Sequence, residues 1–276
     1  MLLELGRRTY DLSSRALVMG VLNRTPDSFY DRGRYWDLDA FYVRAADLVS
    51  EGADILDVGG VKAGPGSHVS EAEELDRVVS VIAALHDRFE VPISVDTWRA
   101  GVAAEAYSAG AVLGNDISGF ADPDYLRVAA EAGATVVATH IRLAPRVADP
   151  DPRYEDVVAE VAAFLADRAG MARAAGIPDT RVILDAGLDL GKTAEQSLLL
   201  LQASGRLASL GWPLLLSASN KTFLGALFGL EVGDRETATL AAHSLGVCLG
   251  CRVLRAHDVL AARRVCDTLA AVMEAR

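Results

Sequence analysis

Eight short apolar runs in this chain each carry or precede a residue able to hydrogen-bond, hold charge or exchange a proton. Asn23 follows the first, Asp57 lies in the second, Asp96 follows the third, Asn115 and Asp116 the fourth, and His140 the fifth. Asp185 follows the sixth, Ser219 with Lys221 the seventh, and Arg255 with His257 the eighth. Asp96, Asn115 and Asp185 offer two carboxylates and an amide, a set that can accept several N–H bonds from a flat, amide-rich heterocycle. Arg255, His257, Lys221 and the amide of Asn23 are donors suited to an anion or a departing phosphate. A heterocycle that carries phosphate satisfies both halves.

The stretch Leu56 to Gly66, LDVGGVKAGPG, joins Asp57 to a loop of four glycines and Pro65, and Ser70 then opens a helix. Glycines let backbone approach a ligand closely, often an anion; a plain strand-to-helix turn is the alternative. Two other motifs carry less. Gly187 to Thr193, GLDLGKT, is one residue short of a phosphate-binding P-loop. Cys248 and Cys251 form a lone C-x-x-C without a second ligand pair at metal spacing, and read as a buried pair of small apolar side chains. Three cysteines, an odd count, do not form a disulfide framework.

The apolar runs are Leu17 to Leu22, Asp54 to Val58, Ile93 to Val95, Val112 to Leu113, Thr135 to Ala138, Val182 to Leu184, Leu214 to Leu216 and Arg252 to Leu254. Amphipathic stretches of helical period alternate with them. They run roughly Asp39 to Ser50, Ser70 to Leu85, Arg99 to Ala109, Pro123 to Ala132, Tyr154 to Ala175, Ala194 to Leu210, Glu236 to Leu249 and Val259 to Glu274. The second is the clearest, with a capping box at Ser70 to Glu73 and Leu75, Val78, Val79, Ile82 and Leu85 on one face. Strand–helix alternation implies a parallel sheet, and eight units within 276 residues predict one (β/α)8 TIM barrel, an α/β single domain over 1–276. A doubly wound open sheet is the alternative. Leu2 to Asp11 reads as a hairpin ahead of the barrel. In a barrel of this kind chemistry sits at the C-terminal ends of the strands, where the polar residues fall.

A net charge of −11 argues against nucleic acid or an anionic membrane surface as partner, since both need a basic footprint. The N-terminus lacks the order of a signal peptide, and no apolar run reaches the ~20 residues of a membrane helix, so a cytoplasmic protein is expected.

Over nearly its whole length the chain resembles the dihydropteroate synthase family. The residues that carry the resemblance are Met19 to Phe29 (MGVLNRTPDSF), Leu56 to Gly60 (LDVGG), Ile93 to Thr97 (ISVDT), Gly114 to Gly119 (GNDISG), Leu184 to Gly187 (LDAG), Ser219 to Lys221 (SNK) and Arg255 to Asp258 (RAHD). The family joins 4-aminobenzoate to 6-hydroxymethyl-7,8-dihydropterin diphosphate, expelling pyrophosphate, with Mg2+. The resemblance implies that Asp96, Asn115, Asp185 and Lys221 hold a pterin, and that Asn23, Arg255 and His257 face the pyrophosphate, with Asn23 also near the metal. Pro65, Leu190, Ser219 and Asn220 would lie on the aminobenzoate side. Asp27, Asp31 and Lys62 are loop candidates for catalysis. A homodimer is implied as well.

The match breaks in the loop after Gly60. The family continues Glu-Ser-Thr-Arg-Pro-Gly, whereas this chain has Val61-Lys-Ala-Gly-Pro-Gly66, so Ala63 and Gly64 stand where threonine and arginine would meet the pyrophosphate. Asn220 replaces an arginine, Thr139 a methionine, and Asp189-Leu190 a Gly-Phe pair; Arg24 and Arg32 replace small or apolar residues. The expectation is a synthase homologue with a pterin pocket and very weak or absent synthase activity. An active synthase, with Lys62 and Arg24 standing in for the lost arginine, is the alternative. A barrel that binds methyltetrahydrofolate for methyl transfer is a second.

Overall fold

The computed structural model describes residues 1–25 and 37–275, so Asp27, Asp31 and Arg32 lie outside the described residues. Strands β1 (Leu2–Leu5) and β2 (Arg8–Asp11) form the expected antiparallel hairpin, turned at Gly6, whose φ of 60° lies in the left-handed region open to glycine. Eight parallel strands then close a barrel: β3 (Leu17–Asn23), β4 (Ile55–Gly59), β5 (Ile93–Asp96), β6 (Leu113–Asp116), β7 (Thr135–Thr139), β8 (Val182–Asp185), β9 (Leu214–Leu216) and β10 (Cys251–Ala256). They follow chain order, and β10 closes on β3 with Leu254 beside Val18 and Arg255 beside Met19.

The outer ring comprises α1 (Leu38–Ser50), α2 (Glu71–Arg88), α3 (Ala100–Ser108), α4 (Tyr125–Glu131), α5 (Val157–Ala174), α6 (Ala194–Gln202), α7 (Ser204–Ala208), α8 (Thr222–Phe228), α9 (Glu236–Cys248) and α10 (Val259–Glu274). Helix α2 starts where Ser70 Oγ accepts from the Glu73 backbone N–H, and it buries Val78, Val81, Ile82 and Leu85 against the sheet. Among the described residues there are two more helices than the sequence predicts. The stretch 194–210 breaks at Ala203, where the Ser204 hydroxyl bonds back to the Leu201 carbonyl and Ala203 leaves helical geometry. Helix α8 is a short turn directly after Lys221, ended by Gly229 at φ 64°. Helix α5 begins three residues later than predicted because Asp156 caps it, accepting from the N–H groups of Val158 and Ala159. No helix among the described residues is long and apolar enough to cross a membrane.

Two hydrophobic clusters result. One lies between strands and helices. The other fills the barrel floor with Leu17, Met19, Ile55, Leu113, Val137, Ile183, Leu215 and Val253, closed from below by Leu3 and Leu5 of the hairpin and by Leu12. The cysteine pair departs from expectation. Cys251 is buried at the start of β10, whereas Cys248 is exposed on the last turn of α9, because strand and helix present the two positions to opposite environments.

Candidate active site

Side chains on a strand alternate between its two faces, so a residue two beyond a floor residue also points into the barrel. Counting upward from Ile55, Leu113, Ile183 and Val253 gives Asp57, Asn115, Asp185 and Arg255; from Val137 it gives Thr139. Asp96 stands two beyond buried Ser94, and Asn23 at the end of β3 shares the parity of Leu17 and Met19. One periodicity therefore builds an apolar floor and a polar layer above it. In that layer Asn23 lies in register with Gly59, Gly59 with Asp96, and Asp96 with Asn115. Gly59 leaves room, for a Cβ there would stand 3.1 Å from Asn23 Oδ1 and 3.5 Å from Asp96 Cβ.

Arg255 crosses this layer. Its Nε donates to Asp57 Oδ2 at 2.6 Å and its terminal NH2 to Asp96 Oδ2 at 2.7 Å, both charge-assisted distances. Asn115 Nδ2 donates to the same Asp57 oxygen at 3.1 Å. The wholly buried Asp57, which the sequence marks only as a strand-tip acid, thus ties β4, β6 and β10 together. Its Oδ1 has no hydrogen-bond partner among the described residues, nor has the buried Thr139 Oγ1, which lies in the register pair with Asp185.

Burial pushes the Asp96 carboxyl up to about 7, against the pull of Arg255 and with added repulsion from Asp57. Near neutrality it can therefore accept or donate. Burial raises the Asp185 carboxyl too, opposed by Lys221 and by the Gly187 N–H, which donates to Oδ1 at 2.8 Å. Lys221 is lowered by its own burial, opposed by Asp189 and Asp185, and its ammonium donates to the Leu188 carbonyl at 2.5 Å. His257 is pushed down to about 3, first by burial and then by Arg255, so it is neutral. Its backbone N–H donates to Ser219 Oγ at 3.2 Å, and the Ser219 hydroxyl lies 3.0 Å from Nδ1. Either neutral tautomer satisfies this contact, because the hydroxyl can donate to a bare Nδ1 or accept from a protonated one.

The opposite parity separates two residues from this layer. Asp116 accepts from the N–H groups of Ser118 at 2.6 Å and Phe120 at 2.9 Å, holding the β6–α4 loop. His140 lies against Phe164 of α5, pushed down to about 3 chiefly by burial, with its Nδ1 2.9 Å from Lys192 Nζ. Lys192, set aside in the sequence with the failed P-loop, is a buried knot: it also donates to the carbonyls of Gly187 and Leu190 at 2.8 and 3.0 Å. Asp189, which stands where the family resemblance places a glycine, caps α8, accepting from Thr222 N and Oγ1 at 2.6 Å.

The β4–α2 loop runs exposed from Gly64 to His68, Pro65 included. Arg146 on the β7–α5 connection spans it, with its N–H to the Ala63 carbonyl at 3.0 Å, one guanidinium N–H to the Lys62 carbonyl at 3.1 Å, and another to the Ser67 carbonyl. The Lys62 side chain folds over Gly66. Arg24 turns away toward α2, donating to the backbone carbonyls of Asp76 and Arg77 at 3.2 and 2.9 Å.

Residues 19–257 of this closed eight-stranded barrel match the family model described as "Pterin binding enzyme". The chain is 42% identical to inactive dihydropteroate synthase 2 of Mycobacterium leprae over 270 residues, covering 96% of this chain and 93% of that one. It is 37% identical to the dihydropteroate synthase of Clostridium beijerinckii, with 94% of each chain covered. The Yersinia pestis dihydropteroate synthase, solved with a sulfonamide drug, superposes with a TM-score of 0.95 at 36% identity over 100% of both chains. This chain belongs to the dihydropteroate synthase family.

Proposed function

We propose that this protein is a dihydropteroate synthase homologue that binds a pterin and has lost most or all of the synthase step. The observation that carries the reading is the β4–α2 loop: Ala63 and Gly64 occupy the positions where the family resemblance places a threonine and an arginine. Arg24, the substitute the sequence offered, has its guanidinium on α2, and Arg146 spends its donors on loop carbonyls. The existence of a close relative named as an inactive synthase supports the same reading.

On the pterin side, Asp96, Asn115 and Asp185 supply acceptors on the inner face of the barrel, and the variable proton of Asp96 suits a ring with both donors and acceptors. Lys221 offers its ammonium from the β9–α8 turn. On the anion side, Asn23, neutral His257 and the outer edge of Arg255 are the groups toward a diphosphate. Arg255 is shared, because two of its N–H groups are committed to Asp57 and Asp96. Pro65, Leu190, Ser219 and Asn220 remain the assignment for the aminobenzoate side. Of the loop candidates for catalysis only Lys62 lies among the described residues.

For Mg2+ the described residues hold no group of three or more His, Cys, Asp or Glu side chains. Asn23 Oδ1 faces the space above Gly59, and Asp96 Oδ2 beside it is taken by Arg255. One amide oxygen suits an ion that keeps its waters and is bound largely by substrate phosphates. Asn23 would hold it, and the ion would supply charge neutralisation for a leaving pyrophosphate.

An active synthase is the second reading. The intact polar layer and the relatives named as synthases favour it. Calorimetric titration with the pterin and then with its diphosphate separates the two. Under the first reading the diphosphate adds little affinity, and the Ala63→Thr/Gly64→Arg variant gains it. Each restored bond to a charged group is worth roughly 1.5–3 kcal/mol, about tenfold to a hundredfold. Gly64 can accept the change, since a Cβ there meets nothing within 4 Å and its φ is outside the left-handed region. Diphosphate binding in the unmodified chain, with turnover in the range of an ordinary synthase, would refute the first reading. A homodimer, expected from the family, is checked by light scattering.

A further inference from the structure

Two loops that leave well-separated strands meet above the barrel. The β4–α2 loop follows Gly59, the β7–α5 connection follows Thr139, and β5 and β6 stand between β4 and β7 in the barrel. A contact between these loops therefore passes over the ends of β5 and β6, where Asp96 and Asn115 lie. Arg146 makes that contact. Its backbone N–H donates to the Ala63 carbonyl at 3.0 Å, and its guanidinium donates to the carbonyls of Lys62, at 3.1 Å, and Ser67. From Ala63 to His68, every hydrogen bond the loop makes among the described residues goes to Arg146. The loop ends are fixed separately, Gly60 by Arg77 Nη1 at 2.7 Å and Val69 by Arg99 Nη2 at 2.7 Å. One residue thus sets where the middle of the loop lies.

The connection that carries Arg146 is braced. Within it Arg142 pairs with both oxygens of Asp149 at 2.5 Å; Tyr154 Oη donates to the Gly191 carbonyl at 2.8 Å, and Gln196 Nε2 to the Pro152 carbonyl at 3.0 Å. Arg146 itself sits at φ 66°, in the left-handed region that an arginine rarely adopts. Such strain persists where surrounding contacts over-determine it, and it gathers at clamps and switches. Gly66 leaves room at the crossing, for a Cβ there would stand 2.8 Å from Lys62 Cε and 3.0 Å from Arg146 Nη2. In the polar layer Asn115, Thr139 and Asp185 are 3%, 1% and 6% exposed, so a molecule from solvent reaches them only after the mouth changes shape.

We propose that Arg146 is a latch that holds the β4–α2 loop as a strap across the barrel mouth, and that its release opens the polar layer to small molecules. Opening breaks the two guanidinium bonds and the Ala63 bond but relieves the backbone of Arg146, so the closed state is poised rather than locked. The device goes beyond the pterin reading and does not depend on which ligand the layer takes.

The test uses the full-length chain with Cys248→Ser, which removes the exposed thiol and leaves the buried Cys251 and Cys266. Thr139→Cys then places a reporter in the layer; the Thr139 hydroxyl has no hydrogen-bond partner among the described residues, so the exchange removes no bond. Alkylation by iodoacetamide is followed by mass spectrometry. Arg146→Met keeps the reach and the constraint on φ but has no donors, and is expected to speed alkylation of the reporter about tenfold, a few-fold for each lost bond. Arg146→Gly loses the same donors but adopts the left-handed backbone without penalty, so a smaller rise, about threefold, is expected. Without the reporter, trypsin should cut after Lys62 faster by the same factors, because cleavage tracks the population of the open loop. Faster cleavage with unchanged alkylation would mean a loop held by Arg146 that does not cover the layer, and unchanged cleavage would mean that Arg146 does not hold the loop; either result overturns the latch. So would alkylation of Cys251 and Cys266 together with the reporter, the mark of global unfolding. Should Thr139→Cys not fold, the cleavage rate still decides.

Discussion

Replacing Arg255 by methionine should reveal how far the polar layer depends on a single cation. The side chain has similar reach but no donors, so Asp57 Oδ2 keeps only the Asn115 amide and Asp96 Oδ2 loses its partner at 2.7 Å. Removing one member of a buried ion pair costs about 3–5 kcal/mol when the remaining charge cannot escape. Here Asp96 can escape by protonation. Its carboxyl already titrates at about 7, and without the guanidinium it moves higher. Below about pH 6 Asp96 is protonated in the folded state of both proteins, so it contributes no difference, and the loss at Asp57 of one bond to a charged group gives about 2 kcal/mol. As pH rises through 7 the wild-type carboxyl ionises against Arg255 while the variant retains its proton, and the deficit grows by about 1.4 kcal/mol per unit of further shift. Urea unfolding should therefore give a deficit of about 2 kcal/mol near pH 6 and about 3–5 kcal/mol near pH 9. Asp96→Asn in the Arg255→Met background should abolish that pH dependence. A deficit under about 1 kcal/mol at both values, or one that shrinks as pH rises, would refute the argument.

Two further predictions test the frame around this layer. Lys192 is pushed down to about 7, mainly by burial, so the unfolded chain binds a proton that the folded chain releases as pH rises above that value. Stability relative to Lys192→Met should swing toward the wild type by up to about 2 kcal/mol between about pH 7 and 9, measured by urea unfolding at each pH. Asn220 sits at φ 57°, a conformation that asparagine tolerates better than residues with longer side chains. Asn220→Arg, which restores the residue expected from the family, should lower stability by about 1 kcal/mol in thermal unfolding, whereas Asn220→Gly should be nearly neutral.

The alternation of apolar and helical stretches gave the barrel correctly, and strand parity would have given more. Asn115 and Asp116 are adjacent and both polar, yet only Asn115 shares the parity of the floor residue Leu113; Asp116 lies on the other face and holds a loop. The same count assigns Thr139 to the polar layer and His140 outside it. What the sequence could not show is commitment: whether a polar group placed near a ligand site still has hydrogen bonds to give. Arg255 reads as an anion donor until two of its N–H groups are found on Asp57 and Asp96, and Arg24 reads as a substitute cation until α2 claims it. Lys192 is the converse case, a lysine in a failed phosphate motif whose ammonium is consumed by two loop carbonyls and His140. These partners lie 52 to 198 positions apart or within a single tight turn, and neither separation leaves a periodic trace in the chain. The consequence falls on the β4–α2 loop. With nearby cations engaged by carbonyls and carboxylates, an anion arriving there would have to displace existing bonds rather than complete unfilled ones. Under the proposed reading of the loop, that is the physical reason why the absence of a threonine and an arginine at positions 63 and 64 would not be repaired by Arg24, Arg146 or Arg255.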